Sequence, residues 1–315
     1  MDALTDILDT LRFNGSLYFR TELTSPWSIR VPEKEGTARF HIVTRGQGWL
    51  RVEGEMQPLS ITNGDLVVVP HGAAHTIFDN PETPARPLSD VLDEVEYTGV
   101  GPLIYGGNGA GTCLVCGEFR FADDAMHPLL ANLPAQLHVV ANETFSKTWL
   151  DSALGFIAHE AIAGKEGSLA IINRLSEIIF IQVIRLFANA TQDHVPFLAA
   201  LSDPQISDAL SQIHAQPASS WTIEKLGQVV GMSRSAFANR FSDLVGMTPH
   251  NYLTLIRLQR AAHQLITGED AISAIAHSVG YRSEPAFSTA FKRQYGIRPG
   301  AYRQKHQVKE KSHND

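Results

Sequence analysis

The sequence is short of cysteine and of long apolar runs. Its 315 residues include two cysteines, Cys113 and Cys116, which are too few for a disulfide framework. Their C-x-x-C spacing supplies only half of the four ligands that a structural zinc ion needs. The most apolar run, residues 178–184, is far shorter than the roughly 20 residues of a membrane-spanning helix. We therefore expect no membrane partner.

The N-terminus lacks the pattern of a secretory signal. Residues 1–16 contain neither a basic segment nor a continuous apolar segment, and a signal peptide has both. This predicts a cytoplasmic protein. Hydrophobic residues make up 43% of the chain and charged residues 19%, as is usual for globular proteins. A chain of 315 residues is long enough for about two domains.

Positive charge is scarce in the whole chain but not in its C-terminal third. The formal net charge is −7, from 26 Lys and Arg against 33 Asp and Glu. Residues 203–315 carry 13 of the basic and 9 of the acidic residues, and 13 and 24 remain for residues 1–202. Residues 233–305 carry 10 basic and 4 acidic residues, a net charge of +6. Such a distribution is typical of a protein that contacts phosphates with one part.

Short strands dominate the N-terminal half. Between about residues 12 and 120, turn residues such as Gly46, Gly48, Asn63 and Gly64 separate apolar or alternating stretches. This pattern predicts an antiparallel β domain. The predicted strands cover residues 28–31, 38–44, 48–52, 65–69, 76–79 and 111–121.

Two helices are predicted after the strands, at residues 145–163 and Ser168–Ala190, and a linker follows them. The second helix is apolar on most sides, through Leu169, Ile172, Leu175, Ile178, Ile179, Val183 and Leu186. Such a surface is either buried in the same domain or used for self-association. We predict a homodimer through this pair, with burial as the alternative. The predicted domains are residues 1–195, for sensing and dimerisation, and 196–315.

An internal repeat organises the C-terminal region. One copy begins at Ile223 and ends at Tyr252, and the other begins at Ile272 and ends at Tyr302. Their first halves align at an offset of 49 residues and their second halves at 50. One extra residue therefore sits in the second turn.

Each copy has the pattern of a helix-turn-helix unit. Gly231 and Gly280 end the first helices, because glycine accepts the left-handed conformation of a C-cap. Ser233 and Ser283 can cap the helices that follow. The first helices bury Leu226, Val230, Ile275 and Val279 beside the small residues Gly227 and Ala276, and the second helices bury Phe237, Phe241, Val245, Phe287, Phe291 and Tyr295.

The opposite face of each second helix is polar and can enter a groove of DNA. It carries Arg234, Ser235, Ala238, Asn239 and Ser242 in the first copy, and Glu284, Ser288, Thr289 and Lys292 in the second. The residues between the copies, 249–267, read as one helix about 27 Å long. A helix of this length can hold the two units against successive major-groove segments, which lie ~34 Å apart.

Residues 221–305 resemble the DNA-binding domain of the AraC/XylS family. The run 280–303, GYRSEPAFSTAFKRQYGIRPGAYR, matches the signature of that family at nearly every defining position. The resemblance implies an operator in double-stranded DNA, with bases faced by Ser235, Ala238 and Asn239 from the first unit and by Glu284, Ser288 and Thr289 from the second. Arg282, Lys292 and Arg298 are further candidate DNA contacts, the last two to phosphates. The resemblance also implies activation of transcription and contact with RNA polymerase.

Residues 64–75, GDLVVVPHGAAH, resemble the second motif of cupin barrels, and residues 40–46 resemble part of the first. The His-x-His pair and the acidic ligand of the first motif are missing, and Arg39 stands where the acid is expected. A catalytic cupin metal needs several converging ligands. We therefore expect a cupin-like sensor domain without a catalytic metal, and not an enzyme. The complete fold prediction is α+β, a cupin-like antiparallel β-barrel with a helical pair followed by the all-helical domain.

Four residues are candidates for sensing: His41, His75, Cys113 and Cys116. The simplest interpretation makes them packed or hydrogen-bonded barrel residues, with a small organic effector bound elsewhere in the barrel. A redox hypothesis places an imidazolium of His75 beside Cys116 and lowers the pKa of the thiol. A metal held by the histidines and cysteines is the third option. The alternative for the whole chain is a cupin enzyme with an accessory helical domain.

Overall fold

The computed structural model describes residues 3–11, 13–121, 127–140, 165–190 and 196–311, with a few single positions between 152 and 160. It divides into a strand unit, Phe13–Asp123 with Leu129–Ala190, and a helical unit that contains Thr191–Asp315. Two short segments that the predicted boundary at residue 195 assigned to the barrel, Met1–Arg12 and Asp124–Pro128, are grouped with the helical unit.

The chain begins with helix α1 (Ala3–Leu11) of the helical unit. The strand unit then contains β1 (Phe13–Thr24), β2 (Ser28–Val31), β3 (Thr37–Arg45), β4 (Gln47–Val52), β5 (Leu59–Thr62), β6 (Leu66–Val69), β7 (His75–Phe78), β8 (Arg86–Pro87), α2 (Leu88–Glu94), β9 (Leu103–Gly106), β10 (Gly111–Phe121), α3 (Pro128–Ala131), β11 (Leu137–Val139) and α4 (Ser168–Ala190).

These strands form two sheets. One has the strand order β11-β6-β3-β10-β1-β9 and the other β5-β4-β7-β2-β8. Among the described strands, β1 with β9 and β2 with β8 pair in parallel and the other pairs are antiparallel. The cupin-like β domain predicted from the sequence is confirmed. Its core contains Trp27, Leu50, Ile61, Val67 and Leu114, among other buried residues.

The turns of the cupin-like motif form as predicted. Gly64 has a φ of +92° at the turn into β6, where the Asp65 carboxylate accepts a hydrogen bond of 2.9 Å from the Thr62 amide. Gly72 has a φ of +63°, and a Cβ on it would lie 2.1 Å from the carbonyl oxygen of Lys34. Both positions therefore require glycine.

Helix α4 packs on β1 and buries one face in the strand unit. Ile172, Ile179 and Val183 are at most 2% exposed, so the prediction that they form a dimer face is wrong, because the barrel covers them. Phe180 lies with its ring centroid 4.8 Å from that of Phe119. Gly15 of β1 permits this approach, since a Cβ there would lie 2.5 Å from the Cβ of Ser176.

The other face of α4 stays uncovered within the described residues. Leu169 is 72% exposed, Ile171 45% and Ile178 48%. The predicted partner helix at 145–163 lies mostly outside the described residues.

The helical unit continues with α5 (Pro196–Ser202), α6 (Pro204–Ala215), α7 (Ile223–Val229), α8 (Arg234–Val245), α9 (Pro249–Thr267), α10 (Ile272–Ser278), α11 (Glu284–Tyr295) and α12 (Pro299–Lys311). Helices α7 and α8 form the first helix-turn-helix unit and α10 and α11 the second. Helix α9 joins them and has the predicted bounds. No helix in the described ranges has the length and apolar character to cross a membrane.

The neighbouring residues Ile179 and Ile178 provide a matched test of how α4 packs. We expect Ile179→Glu to lower the free energy of unfolding by about 3 kcal/mol or more, because it buries an unpaired charge. Ile178→Glu, measured at a protein concentration at which the chain is monomeric, should change it by less than about 0.5 kcal/mol, because this side chain is half exposed. Urea unfolding followed by circular dichroism measures both. Equal losses would contradict the packing described for α4.

Candidate nucleic-acid interface and barrel site

The turn of the first helix-turn-helix unit depends on two glycines. Gly231 follows α7 with a φ of +70°, a conformation that glycine adopts without strain. The Met232 amide donates a hydrogen bond of 2.8 Å to the carbonyl of Gly227. A Cβ on Gly227 would lie 2.9 Å from the Met232 carbonyl oxygen, so only a residue without a side chain leaves this turn undisturbed.

Helix α8 has the two faces that the sequence predicts. The Ser233 hydroxyl accepts a hydrogen bond of 3.3 Å from the Ala236 amide and caps the helix. Phe237, Phe241 and Val245 are fully buried. The predicted DNA-contacting residues lie on the outward side: Arg234, Ser235 and Asn239 are exposed, and Ala238 and Ser242 are partly exposed.

The second unit repeats this architecture with one difference. Gly280 has a φ of +91°, and the Tyr281 amide donates a hydrogen bond of 2.9 Å to the Ala276 carbonyl, as Met232 does in the first turn. Ser283 makes no side-chain hydrogen bond at the start of α11, so its predicted capping role is wrong. Pro285 removes one of the two amides that an N-cap side chain can bind, and Ser283 has a φ of −150° where Ser233 has a φ of −67°.

The outward face of α11 borders an open groove. Glu284, Ser288, Thr289, Lys292 and Arg298 line it as predicted candidates, together with Pro285 and Arg293. Arg282 is exposed nearby in the chain. Arg293 was not among the predicted contacts, although its position beside Lys292 in a basic stretch indicates it. Three cationic side chains therefore face one groove of the second unit.

Several arginines that contribute to the positive charge are engaged within the helical unit. The Nε of Arg240 donates to a carboxylate oxygen of Asp203 at 2.8 Å, and Arg234 contacts Glu224 at 2.7 Å. Arg257 donates to the carbonyl of Pro217 at 2.7 Å. The first unit thus presents mainly small polar side chains, and the second presents cations.

Three of the four predicted sensing residues meet inside the strand unit. His41 and Cys116 are cross-strand partners on β3 and β10, and the His41 Nδ1 lies 3.1 Å from the Cys116 Sγ. The His41 Nε2 lies 2.8 Å from the His75 Nε2, and the His75 Nδ1 donates to the Ala73 carbonyl at 2.8 Å. Cys113 lies apart and is partly exposed, opposite Arg45 in the register.

Ala73, His75, His41 and Cys116 form a series of hydrogen bonds. The direction of each bond follows from the Ala73 carbonyl, which can only accept. His75 donates from Nδ1, so its Nε2 accepts from His41. The Nδ1 of His41 then accepts from the Cys116 thiol. All three side chains satisfy one another as neutral groups.

Burial holds these groups in their neutral forms. Desolvation, reinforced by the positive charge of Arg39, lowers the pKa of His75 to about 4 and that of His41 well below its usual range, where His75 adds to the effect. Desolvation raises the pKa of the Cys116 thiol to about 12. The redox hypothesis placed an imidazolium of His75 beside Cys116, whereas the ring beside the thiol is that of His41, and burial favours the neutral form of each group.

The three side chains do not converge on a point where an ion could sit, because His41 directs its two ring nitrogens to different partners. No group of three or more His, Cys, Asp or Glu in the described parts of the chain is placed to hold a metal. Beside them lies an apolar cavity of about 30 Å³, lined in part by Trp27, Leu88 and Arg39.

The neutral histidine chain predicts acid sensitivity of the strand unit. The pKa of His75 is about 4 in the folded state and 6.5 as its ordinary value, so the unfolded chain binds one more proton between these pH values. The contribution of neutral His75 to the free energy of unfolding is therefore complete above pH 6.5 and is lost as the pH falls towards 4. We expect His75→Gln to destabilise the protein by ~1.4 kcal/mol less at pH 5.5 than at pH 7.5. Urea unfolding at both pH values checks this, and an equal cost at both would contradict it.

Comparisons with known proteins agree with the geometry of both units. A cupin model matches residues 2–189 and a helix-turn-helix domain model matches residues 226–305. A putative AraC-like transcription regulator from Streptomyces antibioticus is 34% identical over 304 residues, 96% of this chain and 98% of that protein. The RCS-specific HTH-type transcriptional activator RclR of Escherichia coli is 29% identical over 308 residues, with 97% and 98% covered.

A solved structure matches the helical unit alone. The DNA-binding domain of AdpA in complex with a target DNA is 29% identical, covers 34% of this chain and 96% of that chain, and has a TM-score of 0.33. The two relatives match this chain over nearly their whole length and are named as transcription regulators. This argues against the alternative of a cupin enzyme. The chain belongs to the AraC-like family of transcription regulators and joins a cupin domain to a DNA-binding helix-turn-helix domain.

Proposed function

We propose that this regulator binds a specific operator and that its two helix-turn-helix units contribute differently. The observation that supports this is the difference between their outward faces. The first unit presents Ser235 and Asn239 beside the short Ala238, and an asparagine can form a bidentate pair with adenine. The second presents Lys292, Arg293 and Arg298 along one groove, and such cations neutralise phosphates. Sequence is then read mainly by α8, and affinity comes mainly from α11.

Single alanine variants separate the two roles. We expect Asn239→Ala to lose about 1–3 kcal/mol of discrimination at particular base pairs, because it removes a base contact. Lys292→Ala and Arg293→Ala should weaken all sequences about equally and reduce the slope of log affinity against log salt by about 0.9 each. Fluorescence anisotropy with a panel of duplexes at several salt concentrations measures these effects.

Arg86→Ala is the control for these variants, because it removes one exposed positive charge from the strand unit and should leave the slope unchanged. A uniform loss across all duplexes for Asn239→Ala would contradict the role assigned to α8.

We propose that the protein is a homodimer that uses the uncovered face of α4. Ile171 and Ile178 are about half exposed, and Leu175 and Leu186 are partly exposed beside them. A stripe of this kind on a soluble helix favours self-association. Sedimentation velocity should find wild type as a dimer and Ile178→Glu as a folded monomer. A dimeric Ile178→Glu would contradict this face.

We also propose that the protein activates transcription in the cytoplasm through contact with RNA polymerase. RclR, a relative over the whole chain, is a transcriptional activator by name, which supports this, and so does the family resemblance of the helical unit. A promoter fusion assayed with and without the protein measures the sign of control.

We propose an organic effector in the barrel rather than a redox signal. The apolar cavity near Cys116 supports this, with its lining of Trp27, Ile29, Ile77 and Leu88. Its volume of about 30 Å³ is far below the ~300 Å³ of an ordinary ligand pocket. Binding therefore requires the barrel to open, and Leu88, the first residue of α2, is one of the residues that line the cavity.

The role of the thiol can be tested directly. Because Cys116 is buried and its pKa is raised to about 12, we expect iodoacetamide to modify Cys113 first in the folded protein. Cys116→Ser should keep the full response of a promoter fusion to the inducing condition. Peptide mass spectrometry measures the modification. Faster labelling of Cys116, together with a Cys116→Ser variant that no longer responds, would favour the redox signal.

A further inference from the structure

His127 and Pro128 belong to the helical unit, although residues of the strand unit precede and follow them in the sequence. Strand β10 ends at Phe121, and the segment Asp124–Pro128 is grouped with the helical unit. From Leu129 onward the chain belongs to the strand unit again. The structure describes His127 and Pro128 of this segment.

His127 is part of the core of the helical unit. Its side chain is 2% exposed, and its Nε2 lies 3.1 Å from the hydroxyl of Tyr252 on α9. Its ring packs edge-on against Phe197 of α5, with centroids 5.2 Å apart and planes at 84°. The aromatic contact and the hydrogen bond together satisfy this buried polar ring and fix its position.

The Tyr252 hydroxyl joins three parts of the chain. It also lies 2.8 Å from the Nε2 of His214 on α6. Burial lowers the pKa of His214 to about 3 and that of His127 well below its usual range, and it raises the pKa of Tyr252. All three groups are therefore neutral. Because the hydroxyl has a single proton, it donates to one imidazole and accepts from the other.

The second repeat shows what is particular to this site. Tyr302 occupies the repeat position of Tyr252 and contacts Phe291 at a centroid distance of 5.2 Å, as Tyr252 contacts Phe241 at 5.7 Å. The ring beside Tyr302 is His306, from the same helix α12, at 4.3 Å. Tyr252 has the ring of His127 beside it as well, which comes from 125 positions away in the sequence.

We propose that His127 is a coupling residue that connects the state of the cupin barrel with the first helix-turn-helix unit. It is six residues from the end of β10, the strand that carries Cys116, and it contacts the tyrosine that packs against Phe241 of the recognition helix α8. When His127 is packed against Tyr252, it fixes the start of α9 relative to α6 and α8. Movement of β10 changes the docking of His127 and thereby the arrangement that binds DNA.

This proposal rests on the DNA-binding function and adds a requirement of reciprocity. If the barrel alters DNA binding through His127, then DNA bound to the helical unit must alter the barrel by the same free energy. Hydrogen–deuterium exchange of the full chain can detect this, since exchange in β10 reports the local opening of that strand.

The experiment measures exchange with and without a duplex selected by the full chain from random DNA. In wild type and in Tyr302→Phe, DNA should slow exchange in residues 111–121 by about fivefold or more, the low end of ordinary coupling. In His127→Ala and Tyr252→Phe this slowing should disappear, while residues 203–311 remain protected by DNA. Tyr252→Phe keeps the ring and removes only the shared hydroxyl, so it decides the matter if His127→Ala does not fold.

Two results would overturn the proposal. One is slowing of residues 111–121 that persists in Tyr252→Phe. The other is a wild-type protein in which DNA protects residues 203–311 but leaves residues 111–121 unchanged. A wild type without DNA protection in residues 203–311 would instead contradict DNA binding itself, and with it the coupling.

Discussion

The aromatic pairs of the two second helices are the constraint on which the DNA-binding surface depends. Phe237 with Phe241, and Phe287 with Phe291, are spaced four residues apart and fully buried. Their ring centroids lie 5.5 Å apart in both units. Because residues four apart share one helix face, burying these rings fixes the rotation of α8 and α11. The opposite faces must then point outward, whatever residues they carry.

Because the buried rings fix the helices, residues on the outward faces can differ between the two units without a change in the fold. The two units share turns, buried rings and C-cap glycines, and they differ in charge. In the first, Arg240 is bound to Asp203 and Arg234 contacts Glu224. In the second, cations line the groove beside α11. A net charge of +6 for residues 233–305 is thus an incomplete description, because position and pairing decide which charges can meet phosphate.

In the interior of the strand unit, three polar side chains near the cavity are kept uncharged. His41, His75 and Cys116 satisfy one another as neutral groups, and their pKa values are shifted away from the charged forms. A chain of this kind favours a rigid core over a reactive site. Burial therefore disfavours a thiolate at Cys116.

The sequence alone predicts the features that depend on local periodicity and on glycine. The bounds of β2, β10, α4 and α9 were all predictable in this way. Strand β1 was not predictable, because Gly15 and Ser16 interrupt its pattern. Gly15 is needed there because any side chain would collide with Ser176. The buried side of α4 was not predictable either, since apolar residues occupy most of its circumference.

Features that depend on register or on distant contacts could not be read from the sequence. The meeting of His41 with Cys116 requires the pairing of β3 with β10. The packing of His127 against Tyr252 joins residues 125 positions apart, and no local pattern marks such a pair.

We propose that one buried architecture, used twice, supports base reading in the first unit and phosphate contacts in the second. Selection of bound duplexes from a random pool by the full chain, followed by sequencing, tests it most directly. The account predicts two contacted segments about one helical turn of DNA apart, with strong base preference in one of them and weak preference in the other. Substitution of Asn239 by alanine should erase part of the strong segment. Equal preference in both segments, or a strong segment that is indifferent to Asn239 and changes with Thr289, would contradict the account.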